Sequence, residues 1–227
     1  MILITGASKG IGKFLFNKFT EAGELVYGTY NSGNSIRGKE DFFTQVDVTD
    51  IDSVFGWIDS LKEETENLIL LNCAGGNYNS FAHKADPKKW ANLINVNLIG
   101  TFNVIHAVLP IMREQNYGRI INFSSIVAQM GIPGTSAYAA SKSGMWGMSK
   151  SIAAENASKG ITINNLNLGY FNVGMITDVP PKFQEIIKSK IPTGEFGNPE
   201  NIFRAVNFMI DTDYINGTSV DINAGLF

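Results

Sequence analysis

The chain has 227 residues and a formal net charge of −3, with 44% hydrophobic, 11% aromatic and 17% charged residues. This balance excludes wholesale disorder, and without a basic excess there is no broad positive field to attract nucleic acid or anionic lipid. One cysteine, Cys73, provides neither an internal disulfide nor a metal cluster, no apolar run approaches the ~18 residues of a membrane span, and residues 1–6 lack the charged start of a signal peptide, so one cytoplasmic domain over 1–227 is expected.

Short apolar runs alternate with longer helical patterns. Residues 2–4 form a first strand, followed by a helix over about 11–22 in which Ile11, Phe14, Leu15 and Phe19 recur at helical spacing. Strands follow at 25–27 and 42–46, then a helix capped by Asp50 and running to about Leu61. A fourth strand at 68–71 precedes Asp86-Pro87, where a capping carboxylate and a proline at the first helical position open a long helix over 87–113. Pro110 is expected to bend or break its far end. A fifth strand at 119–123, a helix at 136–156 and a sixth strand at 160–164 come next. Asn198-Pro199 opens another helix, and 219–222 closes the chain as a last strand. Strands that are apolar throughout and separated by helices have both faces covered. The pattern predicts a single-domain, Rossmann-type α/β fold: a doubly wound parallel sheet of about seven strands with helices on both faces.

The turn Thr5-Gly6-Ala7-Ser8-Lys9-Gly10-Ile11-Gly12 leaves the first strand and opens the first helix. In that context, glycines permit a sharp exit and close approach of the backbone to a pyrophosphate, which the helix N-terminus then holds. An acidic residue at the end of the second strand binds the ribose 2′-hydroxyl in NAD sites. Here that stretch is Thr29-Tyr30-Asn31-Ser32, with no carboxylate. Lys9 and the polar Thr29, Asn31 and Ser32, with Arg37 from the following loop, suit a 2′-phosphate, so NADP(H) is the expected cofactor.

Tyr138-Ala139-Ala140-Ser141-Lys142 sets a phenol and an ammonium on one helix face. A phenol has an ordinary pKa of about 10, and an adjacent cation is expected to pull it toward neutrality. Ser125 lies thirteen residues before Tyr138, at the end of the fifth strand. The glycine-rich turn, Asn72-Cys73-Ala74-Gly75, Asn97, Ser125, Tyr138 and Lys142 occur in that order. Together they resemble the classical short-chain dehydrogenase/reductase family over essentially the whole chain, most like its 3-oxoacyl-[acyl-carrier-protein] reductases.

The resemblance implies a ketone reductase. The substrate oxygen would sit between Ser125 and Tyr138, with Tyr138 as general acid, and Lys142 would lower the tyrosine pKa and hold the nicotinamide ribose. Asn97 would anchor a water that relays protons to Lys142. By the same resemblance Gly6, Ser8, Lys9, Gly10, Ile11 and Gly12 would hold the cofactor phosphates, with Tyr30, Asn31 and Ser32 at the 2′-position. Asp47 and Val48 would flank the adenine, and Asn72, Ala74, Gly75, Tyr138, Lys142, Gly169, Phe171 and Val173 would complete the cofactor site. No metal is implied. Two positions depart from the family pattern: Leu168 stands for its proline, and Val173 for a threonine that hydrogen-bonds the cofactor.

The resemblance further implies a substrate lid over about 174–195 and a homotetramer assembled through the helices at about 87–113 and 137–158. The expected substrate is a ketone or acyl thioester, with a carrier protein as a possible bearer. In that subfamily, basic residues beside the site meet the acidic carrier. The matching positions are Asn116 and Lys159, so one of two charges is missing, with Arg113 and Arg119 as candidate substitutes. Reduction of a sugar or another small ketone is the alternative activity, and a catalytically silent NADP-binding regulator the remote one. His83 and His106 have no second ligand at metal spacing.

Overall fold

In the computed structural model, which describes residues 1–33, 35–61 and 66–226, seven parallel strands form one sheet. They are β1 (Ile2–Thr5), β2 (Val26–Tyr30), β3 (Phe43–Gln45), β4 (Ile69–Asn72), β5 (Gly118–Ser125), β6 (Ile161–Leu168) and β7 (Ser219–Ile222), in the order β3-β2-β1-β4-β5-β6-β7. The order reverses direction between β1 and β4, so a crevice opens at their carboxyl ends, where open α/β sheets take ligands.

Successive side chains of a strand point to opposite faces, and each face carries its own core. Leu3, Leu70, Ile120 and Ile163 pack against Val54 and Trp57 of α2 (Ile51–Ser60), Val104 and Val108 of α4 (Gly100–Gln115) and Ile152 of α5 (Ser136–Asn156). Ile2, Ile4, Leu71, Ile121 and Leu166 face the other way, against Leu15, Phe16 and Phe19 of α1 (Gly10–Glu21) and Ile202, Val206 and Met209 of α7 (Glu200–Asp211). Each such side chain contributes about 1.5–3 kcal/mol on full burial. The expected doubly wound sheet is the fold observed.

The helix expected over 87–113 is in fact two. Asp86 caps α3 (Pro87–Ile94), its carboxylate accepting the Lys88 N–H at 2.8 Å. Five residues of π-helix, Asn95–Ile99, then lead into α4. Pro110 does not end α4, which runs to Gln115. Its ring removes the bond to the His106 carbonyl, but both residues lie on the exposed side of the helix, where that carbonyl is open to solvent. Asn116, at φ 51°, stops the helix in the left-handed conformation. The combined run Pro87–Gln115 is apolar and long enough to cross a membrane by length and composition, and the buried residues of α4 cover the sheet.

β6 runs to Leu168 rather than ending at 164 because its asparagines are paired. Asn72, Asn122, Asn165 and Ser219 lie side by side on four neighbouring strands. Asn72 Nδ2 donates to Asn122 Oδ1 (2.8 Å), Asn122 Nδ2 to Ser149 Oγ (3.0 Å), Ser149 Oγ to Asn165 Oδ1 (3.0 Å) and Asn165 Nδ2 to Ser219 Oγ (3.2 Å). One rung further on, Asn167 accepts from Trp146 Nε1 at 3.1 Å and donates to Asp221 at 2.7 Å. Buried amides satisfied in this way carry little penalty and fix one register for the sheet and for α5 above it.

After β7, Ala224 holds φ 58°, a conformation that crowds its Cβ. Ala224→Gly is expected to stabilise the fold by about 0.5–1 kcal/mol, the relief of that crowding less the added entropy of glycine. This corresponds to a rise in Tm of roughly 1–4 °C in a thermal scan. An unchanged or lower Tm would refute the strain.

Candidate active site

Alpha-helix α5 crosses the carboxyl half of the sheet on polar pins rather than on a continuous apolar stripe. Besides Ser149 and Trp146, Ser143 Oγ donates to the Ala128 carbonyl (2.9 Å), and Ser124 Oγ to the Lys142 carbonyl (3.3 Å). Trp90 of α3 ties down its first turn through Ser136 Oγ at 3.2 Å. These contacts bring Tyr138 and Lys142 to the end of β5, where the Ser125 hydroxyl stands close enough to the Tyr138 phenol to favour its ionised form. Ser124 lies on the buried side under α5, leaving Ser125 facing the crevice.

Lys142 is buried, and its Nζ donates to the Phe123 carbonyl at 2.6 Å and lies 5.6 Å from the centre of the Tyr138 ring. Burial pulls its pKa down to about 8. The tyrosine moves opposite to the expectation. Burial pushes Tyr138 up to about 12, against the pull of the Ser125 hydrogen bond. Desolvation therefore sets the direction of the shift, and the phenol is protonated at neutral pH. Cys73 lies near Lys142, and burial pushes its thiol up, so it is an inert filler.

Asn97 falls in the π-helical turn and is fully buried. Its Oδ1 accepts the Gly76 N–H (2.8 Å), and its Nδ2 donates to the Gly76 carbonyl (3.2 Å) and to Ser141 Oγ (3.1 Å). Both amide hydrogens are committed, so the side chain clamps the strip after β4. A Cβ on Gly75 would lie 3.1 Å from Asn97 Oδ1 and 3.9 Å from Lys142 Nζ, which places the strip directly against the lysine.

The glycine-rich turn is built as a cradle. Gly6 adopts φ +64°, and a Cβ there would lie 2.8 Å from Ala74 Cα. A Cβ on Gly12 would collide with the Gly6 carbonyl and lie 3.1 Å from Ala7 Cα. Lys9 precedes α1 without a side-chain cap, so the first N–H groups of that helix, at Gly10, Ile11 and Gly12, remain for a ligand. Ser8 is half-buried beside them, and Lys9 is exposed. Thr29, expected beside the 2′-phosphate, and Thr5 of the turn hold the cradle instead. Thr29 Oγ1 accepts the Gly6 N–H at 3.2 Å, and Thr5 Oγ1 accepts the Ala74 N–H at 3.0 Å. Thr29 is buried and thus unavailable to a 2′-phosphate. The sign that could have found it is a polar residue at an inward position of a strand.

Tyr30, Asn31 and Ser32 leave the end of β2, Asn31 accepting from Gln45 Nε2 at 2.9 Å through its carbonyl. Asp47 is partly engaged by the N–H and hydroxyl of Thr49, at 2.9 and 2.8 Å. The Val48 side chain is buried, and its carbonyl accepts from Asn103 Nδ2 at 2.9 Å. Asn72 Oδ1 is buried with no partner among the described residues. Gly169 packs against Asn223, and Phe171 and Val173 both join the core under α1 and α7, so only their main-chain groups remain for a ligand.

Residues 1–183 match the family model for short chain dehydrogenases. The chain belongs to the short-chain dehydrogenase family. It is therefore an oxidoreductase. It is 36% identical to an acetoacetyl-CoA reductase of Rhizobium meliloti, covering 99% of this chain and 97% of that protein. It is 34% identical to the 3-oxoacyl-[acyl-carrier-protein] reductase FabG of Thermotoga maritima and 32% identical to that of Escherichia coli, each covering 99% of this chain and 96% of the relative. In this short-chain dehydrogenase, the serine, tyrosine and lysine of the sequence pattern share one site at the crevice.

The positions expected to meet an acidic carrier offer little free charge. Asn116 caps α4 and accepts from Lys159 Nζ at 3.4 Å. Arg119 is buried, donating to the carbonyls of Ile210 (3.0 Å), Gly118 (2.9 Å) and Gly160 (2.9 Å), so it cannot supply the missing charge. Arg113 is turned onto Asn156 Oδ1 at 2.6 Å.

Proposed function

We propose that the chain is an NADPH-dependent reductase that acts on the ketone of a 3-oxoacyl thioester, with Tyr138 as the general acid. The observation that carries this reading is the convergence of Ser125 and Tyr138 with the buried Lys142 at the mouth of β5. Relatives named for acetoacetyl-CoA and 3-oxoacyl-[acyl-carrier-protein] support the substrate class. The glycine cradle with its uncapped N–H groups fits a dinucleotide pyrophosphate. The absence of a carboxylate at 30–32, together with the exposed Lys9, favours the phosphorylated form. When bound, NADPH supplies the hydride.

Ser125 orients the carbonyl oxygen by hydrogen bonding. Tyr138, held protonated by burial, donates its proton to that oxygen as negative charge develops there. The Lys142 ammonium and the Ser125 hydroxyl then stabilise the phenolate left behind. Asn97 acts as a positioning residue, fixing the Gly75–Gly76 strip and Ser141 around the lysine. The segment containing the 3-10 turn Gly174–Asp178 and α6 (Pro181–Lys188) serves as the substrate lid, its base resting where Gly174 meets Gly10. The protein works in the cytoplasm as a homotetramer. The exposed Ile99 at the end of the π turn and Phe102 of α4, with Phe102 stacked on His106, support an assembly face there.

The test is initial-rate reduction of acetoacetyl-CoA with NADPH or NADH across pH. NADPH is expected to be the better reductant. The turnover number should be flat below about pH 7 and fall above about pH 8, because Lys142 is charged only below its lowered pKa of about 8. A rate that rises through pH 8 would contradict the assigned roles.

A further inference from the structure

Beside the catalytic crevice runs an open groove of about 430 Å³, lined by Asn77, Tyr78, Lys88, Lys89, Asn92 and Leu93. Its floor continues the strip that touches the active site. Gly75 abuts Lys142, Gly76 is clamped by Asn97, and a Cβ on Gly76 would touch Leu93 Cδ1 at 3.5 Å. The loop carrying Asn77 and Tyr78 is fixed at two points. The Tyr78 hydroxyl accepts the Asp86 N–H at 2.8 Å, and the Ser80 N–H donates to the Gly134 carbonyl, in the segment between Ser125 and Tyr138, at 2.8 Å. The groove is thus preorganised and contiguous with the reacting groups.

Its charge is the second observation. Lys88 and Lys89 occupy the first turn of α3, where the helix dipole disfavours cations. Their ammonium groups make no hydrogen bond or ion pair with the described residues. The nearby carboxylate, Asp86, is held by its capping bond to the Lys88 N–H. With Lys84 in the separate 3-10 turn Ala82–Lys84 just before α3, a locally basic edge stands on a chain whose net charge is −3. Two unpaired cations placed against a helix dipole, on the wall of a groove leading to the ketone, match an anionic arm on the substrate.

Resting on the thioester reading above, we infer that this groove holds a phosphate of the substrate's pantetheine carrier arm, bound by Lys88 and Lys89. Such phosphate belongs either to phosphopantetheine, common to coenzyme A and carrier protein, or to the nucleotide end of coenzyme A.

The test compares wild type with a Lys88→Gln/Lys89→Gln double variant on acetoacetyl-CoA, acetoacetyl-phosphopantetheine and acetoacetyl-N-acetylcysteamine, which has no phosphate. The double variant should raise KM for acetoacetyl-CoA about tenfold, with kcat and the N-acetylcysteamine thioester unchanged, as expected for two exposed charge pairs. A parallel rise with the phosphopantetheine thioester assigns the shared phosphate, and a rise confined to acetoacetyl-CoA assigns the nucleotide phosphates. Equal changes on all three substrates, or none, would overturn the inference while leaving the reductase reading intact. Wild type that reduces none of the three would overturn both.

Discussion

Tyr138→Phe is expected to lower kcat for ketone reduction by about 10²–10⁴-fold while leaving the fold and the cofactor site in place. The substitution removes one oxygen and nothing else. Lys142 keeps its bond to the Phe123 carbonyl, and the Ser125 hydroxyl keeps the weaker contact from the Val127 N–H at 3.4 Å. The tyrosine is half-buried, and a phenyl ring occupies the same space at little cost to stability. Steady-state rates together with direct NADPH binding separate the two effects. A variant that binds NADPH as wild type does but has lost turnover matches the assigned role. A variant retaining more than about a tenth of wild-type kcat would mean that another group delivers the proton.

Gly12→Ala is expected to have the largest effect on cofactor binding. A methyl group there meets the carbonyl of Gly6 and the Cα of Ala7, both main-chain atoms of the same turn. Neither can move aside without shifting the Gly6 N–H from Thr29 or the first turn of α1 from the crevice. Overpacking of this kind typically costs about 1–3 kcal/mol. The displaced N–H groups no longer converge on one anion, so NADPH affinity should fall at least about tenfold, the equivalent of 1.4 kcal/mol. Thermal melting and isothermal titration with NADPH report the two losses. Wild-type affinity in a stable Gly12→Ala protein would remove the turn from the phosphate site.

Much of this molecule was legible in the sequence because its signals are local. Apolar runs flanked by helical periodicity located the strands, and Asp86-Pro87 announced the start of α3. The spacing of Tyr138 and Lys142 placed both on one side of α5. What escaped depends on contacts between distant segments. Asn165 and Asn167 look like residues beyond the end of a strand until their partners on β7 and α5 are known. The π turn at Asn95–Ile99 was hidden because the apolar pattern continues through it. The direction of the tyrosine shift was misjudged because a neighbouring charge is visible in a sequence and burial is not. Arg119 seemed available to a carrier for the same reason, although three carbonyls hold it inside.

That tyrosine shift bears on direction. A phenol kept protonated at neutral pH is ready to donate, which suits reduction of a ketone. Oxidation of the alcohol requires the phenolate, which burial disfavours, and a Lys142 that loses its charge above about pH 8 does little to restore it.

The central claim is tested most directly by product stoichiometry: purified protein, NADPH and acetoacetyl-CoA in excess, with the thioester identified by mass. One 3-hydroxybutyryl thioester formed for each NADPH oxidised is the predicted result. NADPH that binds but is not oxidised by any 3-oxoacyl thioester, with turnover on a keto-sugar or another small ketone instead, would contradict it.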